Sequence, residues 1–146
     1  MKKILLVITT ALSLITLKAQ NKNLSDTHLL KHYFELKDAL VSSDAVTASF
    51  RITDITGAGD TKISEATKKK LTNAGKDLEK QRAAFATLSL EMYAVIKKEK
   101  LTPDTIYQAY CPMKKMYWLS KEPVIKNPYY GKMMLNCGNI TETIKP

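Results

Sequence analysis

Arginine is almost absent from this sequence: of 23 basic residues, only Arg51 and Arg82 are not lysine. Readers of nucleic acid favour the forked guanidinium for phosphate and guanine. The lysines here are scattered apart from Lys68-Lys69-Lys70, so nucleic acid is not an expected partner. The marks of catalysis are missing as well. There is no Cys-x-x-Cys, no glycine-rich phosphate loop and no serine in a nucleophile-elbow context. The two histidines lie far in sequence from the two cysteines, so a Cys-His nucleophile would depend on tertiary placement. We therefore expect no enzyme. Repeats and low-complexity tracts are lacking too, and so is any long apolar run after the first twenty residues.

That first stretch has the three parts of an export leader. Met1-Lys2-Lys3 is the positive start, Ile4 to Leu17 is the apolar run, and Leu17-Lys18-Ala19 leaves a small residue at the cut before Gln20. The run is short for a membrane span, and an uncleaved anchor is the rival reading. Cleavage leaves residues 20–146 as one domain that is periplasmic or secreted and not embedded in the membrane. Its size is enough for a core without metal or crosslink. Losing Lys2, Lys3 and Lys18 lowers the formal net charge from +9 to +6, a solubility-scale value.

Residues 25–100 carry helical periodicity. Ser25 or Asp26 can cap a first helix with Leu29, Tyr33, Leu36 and Leu40 on one face. Ser43-Asp44 offers a stop and a new cap before Ala45, Ala48, Ile52 and Ile55, and Gly57-Ala58-Gly59-Asp60 breaks the pattern. A third, more polar helix uses Ile63, Ala66, Leu71 and Ala74, with an interruption at residues 73–75. The fourth, from Asp77 to about Lys98, places Leu78, Phe85, Leu88, Met92 and Val95 in heptad-like spacing. Gln81 and Arg82 read as part of its solvated face, with Arg82 holding a neighbouring carboxylate. Short links and one-sided faces predict a mainly α protein, an up-down four-helix bundle.

The chain changes character after Pro103. Residues 104–146 crowd tyrosines, Trp118, prolines and glycines together, which predicts a small β or irregular C-terminal cap. Residues 105–110, 117–120 and 140–144 are the candidate strands, and Asn127-Pro128 with Gly131 marks a turn.

Sulfur is concentrated in this cap. Both cysteines and four of the six methionines lie there: Cys111, Met113, Met116, Met133, Met134 and Cys137. Thiolate and thioether sulfur are soft donors that select Cu(I) and similar ions, and methionine donates at any pH. If the segments around Cys111 and Cys137 meet, they make a three- or four-coordinate sulfur site. The competing reading is a structural disulfide, favoured in exported chains, which would close a 27-residue loop for roughly 3 to 4 kcal/mol. The methionines would then be gap-fillers. A pair that cycles between the two states is the third reading. His28 and His32, four apart on the first helix with Glu35 beyond, have chelating spacing but also suit a solvated helix flank.

Several stretches together resemble a known family. They are Tyr33-Phe34-Glu35-Leu36-Lys37-Asp38-Ala39-Leu40, Gln81-Arg82 with Phe85 and Leu88-Ser89, and, in the tail, Cys111-Pro112-Met113, Tyr117-Trp118-Leu119-Ser120, Asn127-Pro128-Tyr129-Tyr130-Gly131, Met134-Leu135 and Cys137-Gly138. The family is one of secreted domains of unknown function, found alone or fused to periplasmic membrane-fusion subunits of copper and silver efflux pumps. Cys-Pro-Met also looks like the opening of heavy-metal-binding segments in those subunits. Those segments continue with a histidine and a second Cys-x-x-Cys-like element, where this chain has Lys114-Lys115 and the distant Cys137. The resemblance implies Cu(I) or Ag(I) as the bound ion, buffered or passed to an efflux membrane-fusion partner. Cys111, Met113 and Cys137 are the first expected ligands, then Met134, Met116 and Met133, with Trp118 and the tyrosines as walls. The alternative is a non-catalytic envelope interaction module pinned by a Cys111–Cys137 disulfide.

Overall fold

A computed structural model of the chain describes residues 28–57, 59 and 61–146. The expected leader, its cleavage point and the Ser25 or Asp26 cap lie outside the described residues. Among the described residues, no helix is long and apolar enough to cross a membrane.

Helix α1 covers residues 28–41 and buries Leu29, Leu30, Tyr33, Phe34, Leu36 and Leu40, the face its periodicity predicts. It stops where Ser43 takes a positive φ of 58° and Asp44 starts the next helix. The Asp44 carboxylate accepts from the Val46 and Thr47 amides at 3.1 and 2.9 Å, satisfying donors that a helix start leaves unpaired. Helix α2 (Ala45–Gly57) then buries Ala48, Ile52 and Ile55.

Ser64 caps α3 (Glu65–Ala74), accepting from the Thr67 amide at 3.2 Å, and Gly75 ends it at φ 53°. Asp77 caps α4 (Leu78–Glu99), bonding the amides of Glu79 and Lys80. Two core positions differ from the sequence expectation, one in the third helix and one in the heptad-like fourth. Ala66 is exposed while Thr67 is buried, and Val95 is half-buried while Ile96 is buried. A straight α-helix repeats every 3.6 residues, not 3.5, so the buried stripe of a 22-residue helix drifts from Met92 to Ile96. Thr67 is held inward by its hydroxyl, 2.7 Å from the Glu91 carboxylate.

The tail forms three strands, β1 (Ile106–Cys111), β2 (Met116–Ser120) and β3 (Asn139–Ile144), in an antiparallel sheet of order β2-β1-β3. Each strand lies within a residue of its predicted span. β1 pairs β2 from Tyr107 opposite Ser120 to Cys111 opposite Met116, and its pairing with β3 slips at Gln108/Ala109. The chain is thus mainly helical, with a small C-terminal sheet. Helices α2, α3 and α4 pack on one another, and β2 packs on α4. The sheet shares the helices' core: Ile106, Ala109, Cys111, Trp118, Leu119 and Tyr129 join Tyr33, Leu36, Phe85, Leu88 and Met92 in one apolar cluster. Tyr33 is the rivet between layers. Its hydroxyl bonds Ser89 on α4 at 2.8 Å and accepts from the Leu119 amide on β2 at 2.9 Å. Burial first of all pushes that phenol far above its ordinary pKa.

Gln81 and Arg82 correct the sequence reading. Both are buried, not solvated. The Arg82 guanidinium donates to Glu79 at 2.8 Å, to Ser43 Oγ at 3.0 Å and to the carbonyls of Pro128 and Leu40 at 3.0 and 3.4 Å. A buried charge persists only with such a full set of partners.

Candidate functional site

Cys111 ends β1 and is fully buried. Pro112 follows, and the chain turns back through Lys115, at φ 56°, into β2. Cys137 arrives from the other side, at the end of a loop that runs from residue 121 past the short 3-10 turn Gly131–Met134.

That loop is held from within and from below. Asn127 is its clamp: its amide donates to the Leu135 carbonyl at 2.7 Å, its side-chain NH2 to the Cys137 carbonyl at 2.6 Å, and its side-chain oxygen accepts from the Tyr129 amide at 2.7 Å. The Tyr129 hydroxyl donates to the Tyr117 carbonyl, tying the loop to β2. Two glycines set how close the loop lies. A Cβ on Gly131 (φ 56°) would stand 2.5 Å from Ser43 Oγ, and one on Gly138 (φ 149°) 2.7 Å from the Trp118 ring and 2.9 Å from the Tyr110 carbonyl. Only glycine permits both the backbone shape and the approach.

The consequence is that Cys137 meets Cys111. The β1–β3 register ends with Tyr110 opposite Asn139, which brings Cys137 alongside Cys111; both thiols are free, and Cys137 packs against the core cluster that contains Cys111. Burial raises the Cys137 pKa, the neighbouring Cys111 raises it further, and the Met113 N–H offsets part of the rise. Tyr129 lies against the inner side of the pair, its own pKa well raised by burial. Trp118 stacks edge-on to Tyr129, with ring centres 6.0 Å apart.

The methionines are less closely gathered. Met116 is opposite Cys111 across the hairpin and packs against the core. The Met134 carbonyl accepts from the Cys137 amide at 3.0 Å while its side chain is exposed. Met113 is 61% exposed and Met133 78%, so both thioethers stand toward solvent. Among the described residues no group of three or more His, Cys, Asp or Glu is arranged to hold a metal. A metal here would rest on the two sulfurs of Cys111 and Cys137, with thioethers as supplementary donors.

His28 and His32 stack edge-to-face, and His32 Nδ1 lies 3.1 Å from Glu35 and 3.7 Å from Asp54. Between the two carboxylates sits the Arg51 guanidinium, 3.0 and 2.9 Å away. It fills the place a cation would take, and the histidine spacing belongs to an ion-pair network. Burial alone would raise the Glu35 pKa, but the His32 hydrogen bond, Arg51 and Lys31 together depress it. Asn127, Gly138 and Arg82 support the thiol pair without having been singled out by the sequence for that role. The Asn127-Pro128 turn signal and the place of Arg82, Asn127 and Gly138 in the stretches that carry the family resemblance are the cues the sequence holds.

No curated protein and no solved structure matches the chain. A family model does, over residues 29–104, which takes in α2, α3, α4 and nearly all the described part of α1. The match ends two residues before β1, so Cys111 and Cys137 lie beyond it. With slightly over half its length matched, the chain belongs to the family described as "Protein of unknown function (DUF3347)".

Proposed function

We propose that the protein binds Cu(I) or Ag(I) outside the cytoplasm and buffers the ion or passes it to the membrane-fusion subunit of an efflux system. The observation that carries this reading is the meeting of two free thiols, Cys111 and Cys137, from separate elements. Two thiolates suit a soft monovalent ion, which tolerates low coordination, and binding would release the thiol protons. Met113 and Met134 are the nearest thioethers by chain position, two residues from Cys111 and three from Cys137, with Met116 and Met133 as further donors to hand the ion on. Trp118 and Tyr129 make the inner wall that excludes water and supports the sulfurs. We read the four helices beneath as an up-down bundle that carries the site.

Titration of the reduced protein with Cu(I) against a competing chelator tests the reading. Cys137→Ser should weaken binding at least about 100-fold, the upper end of what losing a supporting partner alone costs. Affinity unchanged in the combined Met113→Ala, Met134→Ala, Cys137→Ser variant would overturn it.

A further inference from the structure

The two sulfurs of the pair are not equivalent. Cys111 is closed in by the core, whereas Cys137 is half-buried at the end of a surface loop. An incoming reagent meets one thiol only. Asn127 holds the Cys137 carbonyl at 2.6 Å, and Gly138 lets the following backbone press onto Trp118 and the Tyr110 carbonyl, so the outer thiol stays beside the inner one. We propose that this pair carries out thiol–disulfide exchange with an external disulfide, Cys137 being the entry thiol and Cys111 the resolving thiol, and that closure takes both sulfurs away from the metal. The last clause rests on the proposed function; the exchange itself does not.

The chemistry balances with an exposed small-molecule or protein disulfide, RSSR, as oxidant. The Cys137 sulfur attacks one sulfur of RSSR, that S–S bond breaks, and RS⁻ leaves and takes up a proton. Cys137 now carries the other half as a mixed disulfide. The Cys111 sulfur attacks the Cys137 sulfur, the Cys111–Cys137 bond forms, and the second RS⁻ leaves and is protonated. The protein has lost two electrons and two protons, and RSSR has gained them as two RSH. Because the strand register already sets the two thiols side by side, the second step needs little movement and should outrun the first. The exposed thioethers of Met113, Met133 and Met134 carry no S–H and do not compete in the exchange.

Oxidised glutathione is the probe. Reduced protein is mixed with it, quenched with acid, alkylated and read by intact mass and peptide mapping. The wild type should end as the internal disulfide with no glutathione retained. Cys111→Ser should keep one glutathione on Cys137, and Cys137→Ser should react at least about tenfold more slowly because its remaining thiol is enclosed. Equal rates in the two variants, or glutathione retained on Cys111 of the wild type, would overturn the order. Should Cys111→Ser fail to fold, limited iodoacetamide labelling of the reduced wild type decides instead: the first label must map to Cys137, and a first label on Cys111 refutes the proposal. Cu(I) titration of the reduced and oxidised forms separates the two readings. Ordered exchange in a protein that binds no copper leaves the exchange standing and removes the metal. Copper binding undiminished by oxidation overturns the gating.

Discussion

Arg82 shows how one residue can carry a connection that no local pattern announces. Its charge enters the core because the guanidinium fork reaches four acceptors at once: Glu79 on its own helix, Ser43 and the Leu40 carbonyl at the end of α1, and the Pro128 carbonyl in the loop that leads to Cys137. An ammonium on a flexible stem donates from a single point and cannot span that set. Arg82→Lys should therefore cost about 2 to 3 kcal/mol in urea unfolding, close to the loss expected when a buried charge is stripped of partners. It should also raise amide exchange through residues 127–138, because the Pro128 anchor goes with it. A stability within about 0.5 kcal/mol of wild type, the usual range for an exposed substitution, would mean that the side chain is dispensable where it lies. Nothing at position 82 reveals this burial, because its partners other than Glu79 stand 39 to 46 residues away along the chain.

At the scale of elements, α4 holds α3 in place by a carboxylate. Glu91 accepts from the Ser64 amide at 2.9 Å, from Ser64 Oγ at 2.6 Å and from Thr67 Oγ1 at 2.7 Å, so one side chain brackets the first turn of α3. Burial tends to raise its pKa, but those three hydrogen bonds outweigh burial and bring it below the ordinary 4.5. A carboxyl depressed in the folded state adds stability that is present above the ordinary value and disappears as pH falls through the folded one. Glu91→Gln should thus be less stable than wild type by about 1 kcal/mol at neutral pH, since the site is partly exposed. The gap should close as pH falls through the folded-state value, where the wild-type carboxyl also becomes neutral. A gap that stays constant with pH would show that the charge is irrelevant to the bracket. The caps at Asp44 and Asp77 and the strand spans were legible because they are written locally, in a short polar residue before a periodic run or in alternation. The Glu91 bracket and the inward turn of Thr67 were not, because they depend on which helix lies alongside. Ile96 in place of Val95 lies between these cases: its signal is local, but a heptad template applied to a straight helix misreads it.

On the scale of the whole molecule, one apolar cluster runs from α1 through α4 into the sheet, and the thiol pair sits on its rim. Composition marked the tail as sulfur-rich, yet it left open whether residues 111 and 137 meet. The answer comes from Asn127, two close-packed glycines and the Arg82 anchor acting together over separated segments. This arrangement also dictates how oxidation should affect stability. A crosslink between 111 and 137 closes a 27-residue loop, which in the chain-entropy account removes about 3 to 4 kcal/mol of freedom from the unfolded chain. The native state should give little of that back, because the strand register already sets the thiols side by side in a loop held on several sides. Oxidised protein should accordingly exceed reduced protein by about 3 kcal/mol in urea unfolding, with the slope lowered as the unfolded chain becomes more compact. The Cys137→Ser variant should resemble the reduced protein and not respond to oxidant. Equal stability of the oxidised and reduced forms would mean that joining the sulfurs strains the loop as much as it restrains the unfolded chain. The contact would then be better suited to holding an ion between the sulfurs than to a bond between them.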